Sequence, residues 1–385
     1  MADPTEGELP DGLAEAFDHL GRLRFDQYME LALYAPATGF FATRGGAGRR
    51  EGDFITSPEV GPLFGSVVAS HLDELWDRLD RPDPFTVVEG GAGRGALAIS
   101  ARAASPRCSE SLHWVMVERS AALRSEQARH LDPVPVPGGA RRIRPVDGPG
   151  PHFYSAAELP EGPFVGAVVA NELLDNIPCR LMEHTSGGWR ELQVERGDDG
   201  PATLAEHAAP VEDRTAARLD ELVADPADGA RVPWQELAAT WVAGALGTLE
   251  RGELIVFDYV SDTPTLASRP QEDWLRTYRS HGRGSSPLDA PGTQDITVEV
   301  ARDQLPPGWV STSQAEWLRS NGLDELLERA RTTWADRAGV GDLVAMRARS
   351  APLEAEALTE ETGLGGFEVL TWSVTEGVAQ DPSTD

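Results

Sequence analysis

The 385 residues, 40% of them hydrophobic, can bury a sizeable core as one large domain or two of ordinary size. A net charge of −29 excludes a chain built to grip a nucleic-acid backbone, which needs basic patches. Two cysteines, Cys108 and Cys179, exclude a disulfide framework or a cysteine metal cluster; with no apolar leader in Met1 to Pro10 and no run of about 18 apolar residues, a cytoplasmic chain with no membrane or metal role is expected.

Residues 1–10 read as a disordered tail. Leu13, Phe17 and Leu20 predict a first amphipathic helix, and Phe25, Tyr28, Met29 and Leu33 a second that ends near Tyr34-Ala35-Pro36. A Gly-rich basic loop from Gly39 to Gly52 follows, with Arg44, Arg49 and Arg50. In the next block, Ser57 is expected to cap a helix with Pro58 at its first position and Glu59 in its first turn. Leu63, Phe64, Val67, Val68, Leu72, Leu75, Trp76 and Leu79 then mark a long core-facing helix.

Phe85 to Glu89 is an apolar run that ends in an acid. Four glycines follow within six residues, and Ala96-Leu97-Ala98-Ile99 opens a helix. This is strand, tight turn, helix N-terminus, where glycine lets the backbone turn and a ligand approach. Gly91-x-Gly93-x-x-Ala96 fits a dinucleotide fingerprint. Glu89-x-Gly91-x-Gly93-x-Gly95 fits the pattern of S-adenosylmethionine (SAM) methyltransferases. The acid favours SAM: a carboxylate repels a pyrophosphate but suits an ammonium and a sulfonium.

Leu112 to Val117 is a second strand, ending in Glu118. An acid at that strand tip takes ribose hydroxyls in doubly wound sheets. Residues 132–163 read as loops around a weak third strand. Phe164 to Ala170 is a buried strand opening into Asn171-Glu172-Leu173-Leu174-Asp175. Asn171, Glu172 and Asp175 therefore stand where open α/β sheets place their ligands, although Asp175 also fits a turn cap. Arg180 to Glu183 and Trp189 to Val194 form a hairpin through Ser186-Gly187-Gly188. Residues 196–230 are weakly patterned. Trp234, Leu237, Trp241, Ala245 and Leu249 make a helical stripe, and Glu253 to Tyr259 a strand. Residues 261–293 are a long turn-rich connection. Ile296 to Val300 is a strand, Ser313-x-x-Glu316 opens a helix ending near Asn321-Gly322, and Phe367 to Trp372 is the last strand.

The expected fold is a doubly wound α/β sheet. A helical region over 11–82 precedes the core at 83–178. A hairpin and helical insertion spans 179–250, the rest of the core 251–374, and 375–385 is a tail.

These blocks together resemble the MidA-like SAM-dependent methyltransferases, which include a mitochondrial arginine methyltransferase of complex I assembly. The likeness rests on Tyr28-Met29, Gly39-Phe40-Phe41, Gly52-Asp53-Phe54-Ile55-Thr56-Ser57-Pro58-Glu59, the glycine turn and Glu118-Arg119-Ser120 with Gln127. It continues through Asn171-Glu172 with Asp175, Asp258-Tyr259, Pro291-Gly292-x-x-Asp295-Ile296 and Gly366-Phe367. The family usually has Gly-Pro at Gly91-Ala92, two aromatics at Leu173-Leu174 and glycine at Val260.

The resemblance implies a class I SAM fold and methyl transfer to a protein, with a basic or arginine-bearing surface as the partner. Glu89, Gly91, Gly93, Gly95, Glu118, Thr56, Ser57 and Glu59 are the expected cofactor contacts. Glu172, Asp175, Asn171 and Asp53 are the expected catalytic residues. A non-catalytic SAM-binding assembly factor and an NAD(P)-dependent oxidoreductase are the alternatives.

Overall fold

A computed structural model describes residues 8–43, 56–136, 146, 148–198, 200, 202–279 and 282–375. Asp53 and the rest of the Gly52–Ile55 stretch, the basic loop beyond Thr43, and most of both expected tails lie outside these residues. The chain forms two compact units.

The unit made of Ile55–Glu172, Ala243–Phe257 and Gly308–Asp385 holds an eight-stranded sheet. Its strands are β1 (Phe85–Gly90), β2 (Leu112–Val117), β3 (Val134–Pro135), β4 (His152–Ala156), β5 (Phe164–Asn171), β6 (Leu249–Asp258), β7 (Trp309–Ser313) and β8 (Glu368–Val374). They lie in the order β7-β8-β6-β5-β1-β2-β4-β3. The run from β6 to β3 pairs in parallel, and β7 pairs antiparallel with β8. All residues of β1 and β2 are buried, as expected of parallel strands covered on both faces.

Helix α1 (Ser57–Val60) is followed at Gly61 by α2 (Pro62–Arg78). The apolar stripe of α2 packs into one core with Trp114, Phe257 and Trp317, as its helical spacing predicts. Further helices are α3 (Ala96–Ala103), α4 (Ala121–Gln127), α5 (Gln314–Ser320), α6 (Leu323–Arg337) and α7 (Leu343–Thr359). The cap of α5 forms as read, with Ser313 Oγ accepting from Glu316 N at 3.2 Å. The two long helices after it had no counterpart among the expected elements. α6 buries only Leu323, so its apolar stripe is thin.

The other unit comprises Met1–Phe54, Leu173–Val242 and Asp258–Pro307. The expected hairpin is present as Arg180–Thr185 with Gly188–Arg196, turning at the pair Thr185↔Gly188. It is joined by Arg22–Arg24, Leu204–Pro210 and Arg231–Trp234, all antiparallel. The unpatterned 196–230 stretch thus contributes a strand, and helix Asp213–Leu222 follows it. Helices Asp11–Leu20 and Phe25–Tyr34 form as read, but Leu20 is exposed and Leu9, assigned to the tail, is buried in the core with Phe17, Phe25, Tyr28 and Trp274. The 261–293 connection is not all turn: it holds helices Thr263–Ala267 and Gln271–Trp274 and strand Leu275–Arg279.

Candidate cofactor and acceptor site

Strand order reverses at β1. From β1 the chain builds β2, β3 and β4 on one side, then crosses to β5 on the other. Ligands of open α/β sheets bind beyond the carboxyl ends of the strands at this switch point. The glycine turn leaves β1 there, and Asn171-Glu172 leaves β5 there.

Gly91, Gly93 and Gly95 all take positive φ, at 66°, 52° and 84°. Ala92 N donates to Val117 O at 3.0 Å, tying the turn to the end of β2. Among the described residues, a Cβ added at Gly93 would meet no atom within 4 Å. Protein packing therefore does not explain the glycine; a left-handed turn bordering open space does. Glu118 holds the turn to the tip of β2: Gly93 N donates to its Oε2 at 3.0 Å, while Ser120 N, two residues on, donates to its Oε1 at 2.7 Å. Burial raises the Glu118 carboxyl above its ordinary range, against the backbone bonds of Ser120 and Gly93. Each oxygen keeps a further lone pair able to accept a hydrogen bond.

Glu89 faces inward. Its Oε2 accepts from Trp114 Nε1 at 2.8 Å, and its carboxylate also takes the backbone N–H of Ala98 in the first turn of α3. Burial pushes the carboxyl up to about 8 despite these donors, with the Glu118 charge adding to the rise. Its direct partners are thus a strand and a helix start, and it supports the turn from beneath.

At the other edge, Thr56 rather than Ser57 is the N-cap of α1, one residue earlier than the sequence suggests. Thr56 N donates to Glu59 Oε2 at 3.4 Å. Ser57 is fully buried, and its hydroxyl donates to Gln314 Oε1 at 3.1 Å. Ser57 N donates to Glu172 Oε1 at 3.0 Å, and Asn171 Nδ2 donates to the same oxygen at 2.8 Å. Glu172 sits at φ +50°, a conformation an acid rarely takes, and Glu172 N still donates to Phe257 O at 2.9 Å. Asn171 Oδ1 is buried without a hydrogen-bond partner among the described residues. Burial raises the Glu59 carboxyl, while bonds at Thr56 and the Arg94 guanidinium of the glycine turn oppose the rise. Thr56, Ser57, Glu59, Asn171, Glu172 and the glycine turn are therefore one connected group.

Asp175 belongs to the other unit, in the short 3₁₀ turn Leu174–Asn176. It does not cap that turn. Asp258 does, with Oδ2 accepting from Leu174 N at 2.9 Å and Asp175 N at 3.3 Å. Asn176 Nδ2 donates to Asp295 Oδ1 at 3.0 Å. Asp175 is buried and its Oδ1 has no hydrogen-bond partner among the described residues. Burial pushes its carboxyl up to about 7, against backbone bonds and the Arg276 guanidinium. Asp258 and Asp295 belong to the family blocks, and neither the capping by Asp258 nor the bond from Asn176 to Asp295 had a separate sequence signal.

A family model described as "Putative S-adenosyl-L-methionine-dependent methyltransferase" matches residues 67–313. The chain is similar to a likely methyl transferase from Burkholderia thailandensis solved with S-adenosyl-homocysteine: 27% identical, TM-score 0.75, over 94% of this chain and 90% of that one. It is 28% identical to "Protein arginine methyltransferase NDUFAF7, mitochondrial" of Mus musculus, over 80% of this chain and 72% of the relative. It is 26% identical to the Drosophila melanogaster homolog, over 78% and 69%. The expected cytoplasmic location does not stand, because these relatives are named as mitochondrial. No helix among the described residues is long and apolar enough to cross a membrane.

Proposed function

Because the chain belongs to the putative S-adenosyl-L-methionine-dependent methyltransferase family, we propose that it transfers the methyl group of SAM to a protein side chain, with an arginine guanidinium as the favoured acceptor. The enzyme is a SAM-dependent methyltransferase and SAM is its cofactor. The protein-arginine reading rests on the names of relatives at 26–28% identity and on one observation, the buried Asp175 carboxyl with an oxygen that has no hydrogen-bond partner among the described residues.

Bound SAM supplies a methyl group on a sulfonium, already activated as a leaving group. The protein's share is alignment, which contributes roughly 7–11 kcal/mol in well-oriented systems. Gly91, Gly93 and Gly95 would let the cofactor approach the backbone, and Glu118 would take its ribose hydroxyls. Asn171, Thr56 and Glu59 would line the edge toward Glu172, with Ser57 holding Glu172 through its backbone N–H.

A guanidinium stays protonated in water, with a pKa above about 12. A carboxylate that grips it orients the nucleophilic nitrogen, draws charge to the opposite edge and takes the proton that this nitrogen gives up as the methyl leaves S-adenosylhomocysteine behind. Asp175 suits that role: an arriving cation favours its ionised form and satisfies the partnerless oxygen. Glu172, held by Ser57 and Asn171, is the candidate acid of the unit that carries the glycine turn.

The test is transfer of a radiolabelled methyl to lysate proteins, followed by mass spectrometry of the acceptor. Methylarginine formed by wild type and lost in Asp175→Asn supports the proposal. Label on lysine, on a hydroxyl or on a small molecule would overturn the arginine assignment.

A further inference from the structure

Both polar backbone groups of Gly93 are held by side chains. Its N–H goes to Glu118. Its carbonyl accepts from Gln127 Nε2 at 2.8 Å. Gln127 ends α4 and has no exposed surface. Its Oε1 accepts from Ser155 Oγ at 2.6 Å, on β4. This fixes the amide orientation, since flipping it would set two carbonyl oxygens against each other. A hydrogen-bonded line therefore runs from β4 through Gln127 to the residue of the turn that borders open space. A buried amide is a costly way to fill a core unless its bonds are needed.

We propose that Gln127 is a positioning residue for the cofactor: its bond to Gly93 O fixes the plane of the Gly93–Arg94 peptide and so the shape of the cradle. Gln127 acts through Gly93. It also keeps Gly93 N aimed at Glu118, so the ribose-binding acid and the turn are set together. The assignment rests on the glycine turn being the SAM cradle.

The test is calorimetric titration with S-adenosylhomocysteine on wild type, Gln127→Met and Ser155→Ala, with melting temperatures and steady-state kinetics on each. Gln127→Met keeps the volume but releases Gly93 O, so the cradle is no longer held in its binding shape and Kd rises roughly 10-fold or more. The KM for SAM rises with it, while kcat at saturating SAM stays within about twofold, because uniform binding alone is weakened. Ser155→Ala frees the amide without removing it and gives a smaller rise in Kd. A folded Gln127→Met with unchanged Kd and KM, or with kcat reduced at unchanged KM, would overturn the assignment. If Gln127→Met does not fold, an unchanged Kd in folded Ser155→Ala overturns it. Failure of wild type to bind would remove the cradle reading and this assignment with it.

Discussion

Ser57 N donates to Glu172 Oε1 at 3.0 Å, joining two segments 115 residues apart in the chain. One is the start of a four-residue helix, the other the exit of a buried parallel strand. Glu172 thereby meets a helix N-terminus, where a carboxylate is favoured, and holds a left-handed backbone that costs on the order of 1–2 kcal/mol.

That geometry predicts a separation of functions in Glu172→Gln. Glutamine keeps a carbonyl acceptor for Ser57 N while its charge is lost and its second oxygen becomes an amide NH2. Cofactor affinity is expected to stay near wild type while methyl transfer falls by about 100-fold or more. Calorimetry with S-adenosylhomocysteine, alongside a radiolabel assay, checks it. Loss of cofactor binding in the variant would move Glu172 into the cofactor site.

Glu89 predicts a pH dependence of stability. Its folded carboxyl titrates at about 8, above the ordinary value of about 4.3. Between these values the native state holds a proton that the unfolded state has lost, so this group's contribution to stability falls as pH rises through that window. Glu89→Gln removes the titration. Denaturant unfolding should find the variant more stable than wild type at pH 8.5, by a margin that shrinks toward pH 5. Parallel curves for the two proteins would contradict the assignment.

Gly166 predicts a large loss of stability on substitution. It sits in β5 opposite Thr86 of β1, at φ +155°, and an added Cβ would lie 1.8 Å from Thr86 O. The obstacle is backbone in the middle of a parallel sheet, which cannot move aside as a side chain would. Gly166→Ala is expected to cost about 3 kcal/mol or more, from overpacking and backbone strain together. Thermal unfolding measures it, and a change under about 1 kcal/mol would mean the strands can separate locally.

The sequence made the sheet legible where one physical signal dominated. Val87-Val88, Trp114 to Val117 and Ala167 to Ala170 are apolar runs closed by polar residues, which is how parallel strands read. The glycine turn was legible because positive φ restricts the residue type. The cap at Thr56 was missed by one residue, since Thr56 and Ser57 are both good caps and local chemistry does not separate them. Of the two helices after Asn321, Leu323–Arg337 has Leu323, Leu326 and Leu327 diluted by charged neighbours, and Leu343–Thr359 carries Pro352 in its interior, a residue that reads against a helix. The motif places Glu89 among the expected cofactor contacts. Its inward bonds to Trp114 and Ala98 are tertiary and have no sequence signature. The same holds for the roles of Gln127, Asp258 and Asp295.

The central claim is that the turn at Gly93 cradles the cofactor. The measurement that tests it most directly is calorimetric titration with S-adenosylhomocysteine on wild type and Gly93→Val, with circular dichroism confirming that both are folded. Binding by wild type that is lost in Gly93→Val is the predicted result, since the side chain would enter the open space beside the turn at φ +52°. Equal binding by the two proteins, or none by folded wild type, would contradict it.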